Sequence, residues 1–371
     1  MNKLCEKLGI KYPIMQAGMA GGATTPELVS AVSNAGGLGI LAASRLTPTQ
    51  LKEAILKIKS KTQNSFGVNI LLAPPEEGNK DTTSAQRYLD NFRNELGLSS
   101  GGSNISIPSS MTSQYLEVIF DEKVPVLSIG LGDPTNITEV AHSHNMTVMT
   151  MVTTVDEAVQ VVRGGTDIVV AQGAEAGGHR STFKLGPNGE TPLVGTFALV
   201  PQIVDAIPDV PVVAAGGIMD GRGLVAALAL GASGVLIGTR FLVAKESGIF
   251  PAYQDKMFSS TEADTVITHL FTGRPARSIR NRFIEKYLES NTKPLAWPLQ
   301  GLAADDIYAE SRKQNLADYY PLLAGQGLRL LKRDQSAKGV VNEIVSAANN
   351  IISSNLIVDV LPILDPKENW S

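Results

Sequence analysis

The stretch VDEAVQVVRGGTDIVVAQGAEAGGHR, Val155 to Arg180, decides the fold. Residues 155–163 read as a helix, and Gly164-Gly165 ends it. Residues 167–171 then form a short Val/Ile-rich run of the kind that buries both faces, as a parallel strand does. A loop rich in glycine follows, from 172 to 192. Helix, buried strand and glycine-rich strand mouth together make one repeat of a βα architecture.

Working outward, the same alternation recurs. Strand-like runs fall at residues 12–16, 38–41, 66–70, 124–129, 147–151, 167–171, 211–215 and 234–237. Helical stretches lie between them. In the first, Thr25 suits the N-cap, Pro26 suits the first helical position and Gly36-Gly37 ends the turn sequence. Further helices are expected at 48–59, 111–120, 136–144, 196–206 and 219–230. Eight such units in about 240 residues fit a (β/α)8 TIM barrel. A doubly wound sheet is the rival, but it rarely repeats the unit eight times. The barrel is expected to occupy residues 1–256, with an excursion at about 71–110 that holds a surface helix near 83–96. From Met257 the strand pattern stops. Residues 257–371 read as a mainly helical appendage, with Val341, Ile344, Val345, Ala348 and Ile352 on one face of a late helix.

Composition narrows the function. The chain has 371 residues, 43% hydrophobic and 18% charged, which supplies a large core and excludes wholesale disorder. A net charge of −4 argues against a general nucleic-acid binder. Cys5 is the single cysteine, so no disulfide can form within the chain and no cysteine-based metal centre is expected. A lone thiol suits a reducing compartment, and a cytoplasmic location is expected. No apolar run approaches the ~20 residues of a membrane span.

The chemistry is expected at the C-terminal ends of the strands. Asn69 interrupts the apolar third strand, so its carboxamide must find partners, either a ligand ring or neighbouring backbone. After the sixth strand come Gln172, then Gly177 and Gly178, then His179. A histidine fixed after two glycines at a strand mouth suits a general acid or base. Glu175 reads as a loop-orienting residue. His142 and His144 fall on a predicted helix, and His269 lies beyond the barrel repeat. The seventh and eighth strands lead into Gly216-Gly217 and Leu236-Ile237-Gly238-Thr239. Paired glycine-rich loops at these two strands suit a phosphate. A phosphate joined to an extended polar ring describes flavin mononucleotide (FMN). No Rossmann fingerprint and no cluster of metal ligands is present in the sequence.

Taken as a set, these motifs resemble the nitronate monooxygenase family, also called 2-nitropropane dioxygenase-like. The likeness rests on Tyr12-Pro13-Ile14-Met15-Gln16, Ser33-Asn34-Ala35-Gly36-Gly37-Leu38-Gly39, Phe66-Gly67-Val68-Asn69, the Glu-Ala-Gly-Gly-His-Arg run ending at Arg180, and Ala214 to Ile218 with Gly238-Thr239-Arg240-Phe241. The resemblance implies an FMN-dependent monooxygenase that converts alkyl nitronates and O2 to carbonyl compounds and nitrite. It implies FMN contacts at Asn69, Gln172, Gly177, Gly217, Leu236, Ile237, Gly238 and Thr239, with His179 catalytic and no metal. It also implies a small nitronate or nitroalkane and O2 as the partners, and leaves a homo-oligomer open. A protonated His179 would hold the anion, or a neutral one would take a proton from a nitroalkane. Ser181 departs from the glycine common at that position. Gly130-Leu131-Gly132-Asp133-Pro134 is closer to enoyl-acyl-carrier-protein reductase II, and Asp220-Gly221-Arg222-Gly223 to quinone reductases of the same superfamily. An NAD(P)H-dependent flavin reductase is therefore the alternative, and a non-catalytic binding barrel the third reading.

Overall fold

Runs that are apolar on both faces must be covered on both, as they are between a barrel interior and a ring of helices. The computed structural model, which describes residues 2–76, 78–102 and 104–354, shows that solution. Eight parallel strands close on themselves: β1 (Ile14–Gln16), β2 (Leu38–Ala42), β3 (Phe66–Leu71), β4 (Val126–Gly130), β5 (Thr147–Val152), β6 (Ile168–Gln172), β8 (Val212–Ala215) and β9 (Gly234–Ile237). Closure comes from β9 beside β1, with Gln16 opposite Ile237. The fold is a (β/α)8 barrel.

Met15, Leu38, Ile40, Val126, Met149, Val170, Val213 and Leu236 form one buried cluster with Leu4 and Leu8 of an N-terminal helix, Lys3–Leu8. That helix was not expected from sequence. The surrounding helices begin where the capping signals stand. Thr25 accepts from the Leu28 N–H ahead of helix Pro26–Asn34, and Thr47 and Gln50 make a capping box ahead of Pro48–Lys61. The last described helix, Ala337–Ser353, packs on helices Pro26–Asn34 and Gly221–Ala229 at the barrel flank. Val341, Ile344 and Ala348 are buried there, while Ile352 faces solvent at 64% exposure. Residues 355–371, the end of the expected appendage, lie outside the described residues.

Strands do not cease at Met257. β7 (Gly178–His179), β10 (Thr265–Thr268) and β11 (Ala276–Ile279) form a separate antiparallel sheet in the order β10-β11-β7. His179 pairs with Ala276 in it. The excursion helix, Thr82–Leu96, also differs from the expected surface helix. Its Ala85, Leu89, Phe92 and Leu96 are buried against Phe271, Phe283, Tyr287 and Tyr308. Phe92 and Phe283 lie 4.6 Å apart between ring centroids. Neither segment has enough apolar surface to bury alone, so the excursion and the later chain share one core over the barrel mouth. Arg93 on the same helix is buried and pairs with Asp90 and Asp306.

Candidate active site

One cavity of about 720 Å³ opens at the C-terminal ends of the barrel strands. Asn69, Gln172, Gly177, His179, Gly217, Leu236, Ile237, Gly238 and Thr239 all line it. The structure therefore brings His179 into one cavity with all eight residues expected as cofactor contacts. It also adds walls from the later chain, including Phe250, Tyr253, Thr272, Trp297, Tyr308, Arg312 and Tyr320. Those residues carried no sequence signal, because the wall forms only when distant segments pack.

Two strand mouths make the floor polar without side chains. Among the described residues, the backbone N–H groups of Gly216, Gly217, Gly238 and Thr239 donate to no protein acceptor. Gly217 has φ +71°, a conformation that disfavours side chains. The Thr239 hydroxyl accepts from the Gly325 N–H at 2.8 Å. Gly177 is required by proximity, since a Cβ there would stand 2.4 Å from the Ala324 carbonyl carbon.

The β6 loop is held from both ends. Buried Arg180 donates to the carbonyls of Gly173 at 2.6 Å and Gln172 at 3.0 Å. Its pKa is lowered to about 10, chiefly by burial and then by Arg277. Gln172 donates to the His179 carbonyl at 2.9 Å and accepts from the Ser181 N–H at 2.8 Å. One donor and one acceptor site of its carboxamide are thus used on loop geometry, and the residue still lines the cavity. Glu175 accepts from the Thr196 N–H through both carboxylate oxygens, fixing the start of helix Thr196–Ala206. Ser181 accepts from the Leu131 N–H and donates to the Met151 carbonyl, which accounts for a hydroxyl at that place. Asn69 donates to the Ser128 carbonyl and hydroxyl, both at 3.2 Å. Both readings of Asn69 meet here, since it is tied to neighbouring backbone and still lines the cavity.

His179 Nε2 lies 2.9 Å from Thr272 Oγ1, and the Trp297 ring stands edge-on at 5.4 Å. The imidazole is pushed down to about 4, first by burial, then by the charges of Arg274 and Arg45. Of the two states expected, the lowered pKa favours the neutral ring. Among the described residues, two arginines line the cavity, Arg312 and Arg45, the latter held in an αL backbone at φ +73° and paired with Asp305. The other histidines stand elsewhere. His142 pairs with Asp167 at 2.8 Å, and His144 stacks on Phe120. His269 is lowered by burial and does not line the cavity.

Comparison with known proteins agrees with this geometry. The sequence signature of the family described as "Nitronate monooxygenase" matches residues 1–347. This chain belongs to the nitronate monooxygenase family. It is 38% identical over 357 residues to a probable nitronate monooxygenase of Staphylococcus haemolyticus, covering 95% of this chain and 98% of that one. The corresponding protein of Staphylococcus aureus is also 38% identical, over 354 residues. Among solved structures, the nitroalkane oxidase of Streptomyces ansochromogenes superposes with a TM-score of 0.87 at 32% identity, covering 94% of this chain and 99% of that one. FabK of Thermotoga maritima gives 0.75 at 31% identity, covering 95% and 97%. Family membership makes the chain an oxidoreductase. Among the described residues, no helix is long and apolar enough to cross a membrane, and no three His, Cys, Asp or Glu residues group as metal ligands.

Proposed function

We propose that this member of the family binds FMN and oxidises small nitroalkanes or their nitronates with O2. The observation that carries the reading is that His179 and an unpartnered backbone cradle share one cavity. The residues fit the cofactor. The N–H groups of Gly217, Gly238 and Thr239 are free to donate to its phosphate, and the cavity is within the ~300–1,000 Å³ range of small-molecule sites. Asn69 and the Leu236–Ile237 backbone would meet the ring and its side chain, and Gly177 would let the loop close on them. When bound, FMN supplies the electron transfer and the reactivity toward O2.

The chain's own residues handle protons and charge. Neutral His179 takes the α-proton of a nitroalkane, leaving the nitronate. Arg45 and Arg274 offset the negative charge that develops, and the aromatic wall of Phe250, Tyr253 and Tyr320 excludes water. Overall, two nitronates and one O2 give two carbonyl compounds and two nitrites.

The second reading, an NAD(P)H-dependent reductase, is favoured by the Gly130-Leu131-Gly132-Asp133-Pro134 turn after β4 and by the likeness to FabK. Anaerobic mixing of the flavin-loaded protein with ethyl nitronate, NADH or NADPH separates the two. Bleaching by nitronate, and nitrite release in air without NAD(P)H, is the expected result. Bleaching only by NADH or NADPH would overturn the proposal.

A further inference from the structure

His179 has two ring nitrogens, and the proposed proton transfer needs one of them bare. Nε2 meets Thr272 Oγ1 at 2.9 Å, while Nδ1 meets no protein partner among the described residues. Thr272 sits in the β10–β11 hairpin, and His179 is on β7 of the same sheet. The pairing is thus built into one small structural unit. Gly273, next in the turn, has φ +88°, and a Cβ there would stand 2.5 Å from the Leu295 carbonyl oxygen. Only glycine fits, so the hairpin holds the hydroxyl at a defined place.

The hydroxyl has two further neighbours. Thr272 Oγ1 lies 3.3 Å from the Arg274 carbonyl, to which it donates, and accepts from the Arg274 N–H at 3.3 Å. A hydroxyl has one proton and two lone pairs. If the proton points to the Arg274 carbonyl, the lone pairs serve the Arg274 N–H and a proton on Nε2, and every valence is used. If the proton points to Nε2 instead, the contact with the Arg274 carbonyl is lost and Nδ1 carries the ring proton. The first arrangement satisfies one more hydrogen bond in a half-buried setting, where an unmade bond is unfavourable.

We propose that Thr272 is a positioning residue that fixes His179 as the Nε2–H tautomer, leaving the Nδ1 lone pair as the proton acceptor for a neutral nitroalkane. Burial and the Arg274 charge keep the ring neutral, so the tautomer is the remaining variable. In the transfer, the substrate C–H electron pair becomes the C=N bond of the nitronate, the negative charge falls on its two oxygens, and the proton moves to Nδ1. The ring becomes an imidazolium that still donates from Nε2 to Thr272. This inference rests on the proton-abstraction step of the proposed function.

The test is nitrogen NMR of the FMN-loaded protein with ¹⁵N-labelled histidine. The chain has four histidines, so a His179→Ala sample assigns the His179 signals. The wild type is expected to show a protonated Nε2 and a bare Nδ1, and Thr272→Ser to match it. Thr272→Val is expected to populate both tautomers. Its turnover of neutral nitroethane falls about tenfold or more, while turnover of preformed ethyl nitronate changes less than about twofold. A proton on Nδ1 in the wild type, or a Thr272→Val spectrum identical to wild type, overturns the proposal. If Thr272→Val does not fold, the wild-type spectrum decides alone. The spectrum needs no substrate. A protein with the assigned tautomer that leaves nitroethane and nitronate untouched therefore sinks the functional reading, and with it the role of Nδ1 toward nitroalkanes, while the Thr272-fixed tautomer stands.

Discussion

At the barrel mouth, Gly216, Gly217, Gly238 and Thr239 present backbone N–H groups; above it, the sheet of β7, β10 and β11 presents the side chains of His179 and Thr272. The barrel's donors depend on backbone angles and small residues, so the identity of nearby side chains hardly matters to them. The sheet's groups depend on an imidazole, a hydroxyl and the charges around them. Under the proposed function, holding a ligand and reacting with it fall to two separately supported parts. Changes in the sheet should alter chemistry and spare cofactor retention, and changes in the loops should do the reverse.

The largest expected effect is for His179→Ala. Turnover of nitroethane, followed as oxygen uptake, should fall by about 10²–10⁴, the range for removal of a general base. The flavin-to-protein ratio should stay at the wild-type value; loss of flavin together with turnover would break the division of labour. Next is the shared core that supports the sheet. Phe283 is fully buried beside Phe92 and Phe271, and Phe283→Ala should cost about 3–5 kcal/mol in a denaturant titration. Gly217→Asp acts on the other side of the comparison. Space exists, since the nearest atom to a Cβ would be Glu175 Cβ at 3.6 Å, so the damage comes from φ strain and from a carboxylate near the phosphate. FMN affinity, read by dialysis and absorbance, should weaken at least about tenfold, each tenfold being ~1.4 kcal/mol.

The smallest effect is in the pH profile. His179 works as a base only when neutral, and its pKa is lowered from 6.5 to about 4. Turnover of neutral nitroalkane should therefore stay level as pH drops through 6.5 and halve only near 4. A half-fall at 6.5 would mean that the burial and the Arg274 and Arg45 charges do not act on the ring. Stability carries the same sign. Between 6.5 and about 4 the unfolded chain takes up the histidine proton first, so this group's contribution falls as pH falls.

The barrel was legible because its strands write their burial into short Val/Ile runs, and the observed bounds stay within about two residues of those read from sequence. The sheet was not legible. β7 is two residues long, and β11, Ala276–Ile279, carries Arg277 and Ser278 between apolar ends. Its alternation shows no pattern until its partners are known. Asn69 and His179 could be found as polar residues in places that need a reason. Thr272 could not, because a hydroxyl in a turn is ordinary and its importance comes from a partner 93 positions away. The choice between the two expected states of His179 was also hidden, since its lowered pKa depends on burial and on Arg274 and Arg45 arriving from distant segments. The tail was partly readable: Val341, Ile344 and Ala348 are buried as one face, but Ile352 lies past the contact.

The bond from the Gly325 N–H to Thr239 spans 86 positions and also sets an order in time. A ribosome adding ~5–20 residues per second needs roughly 4–17 s to travel that distance. During synthesis the barrel's last strand mouth is therefore finished well before the segment that closes over it exists. A nascent chain thus carries every cradle residue, with its backbone N–H group, before the residue that bonds the Thr239 hydroxyl has been added.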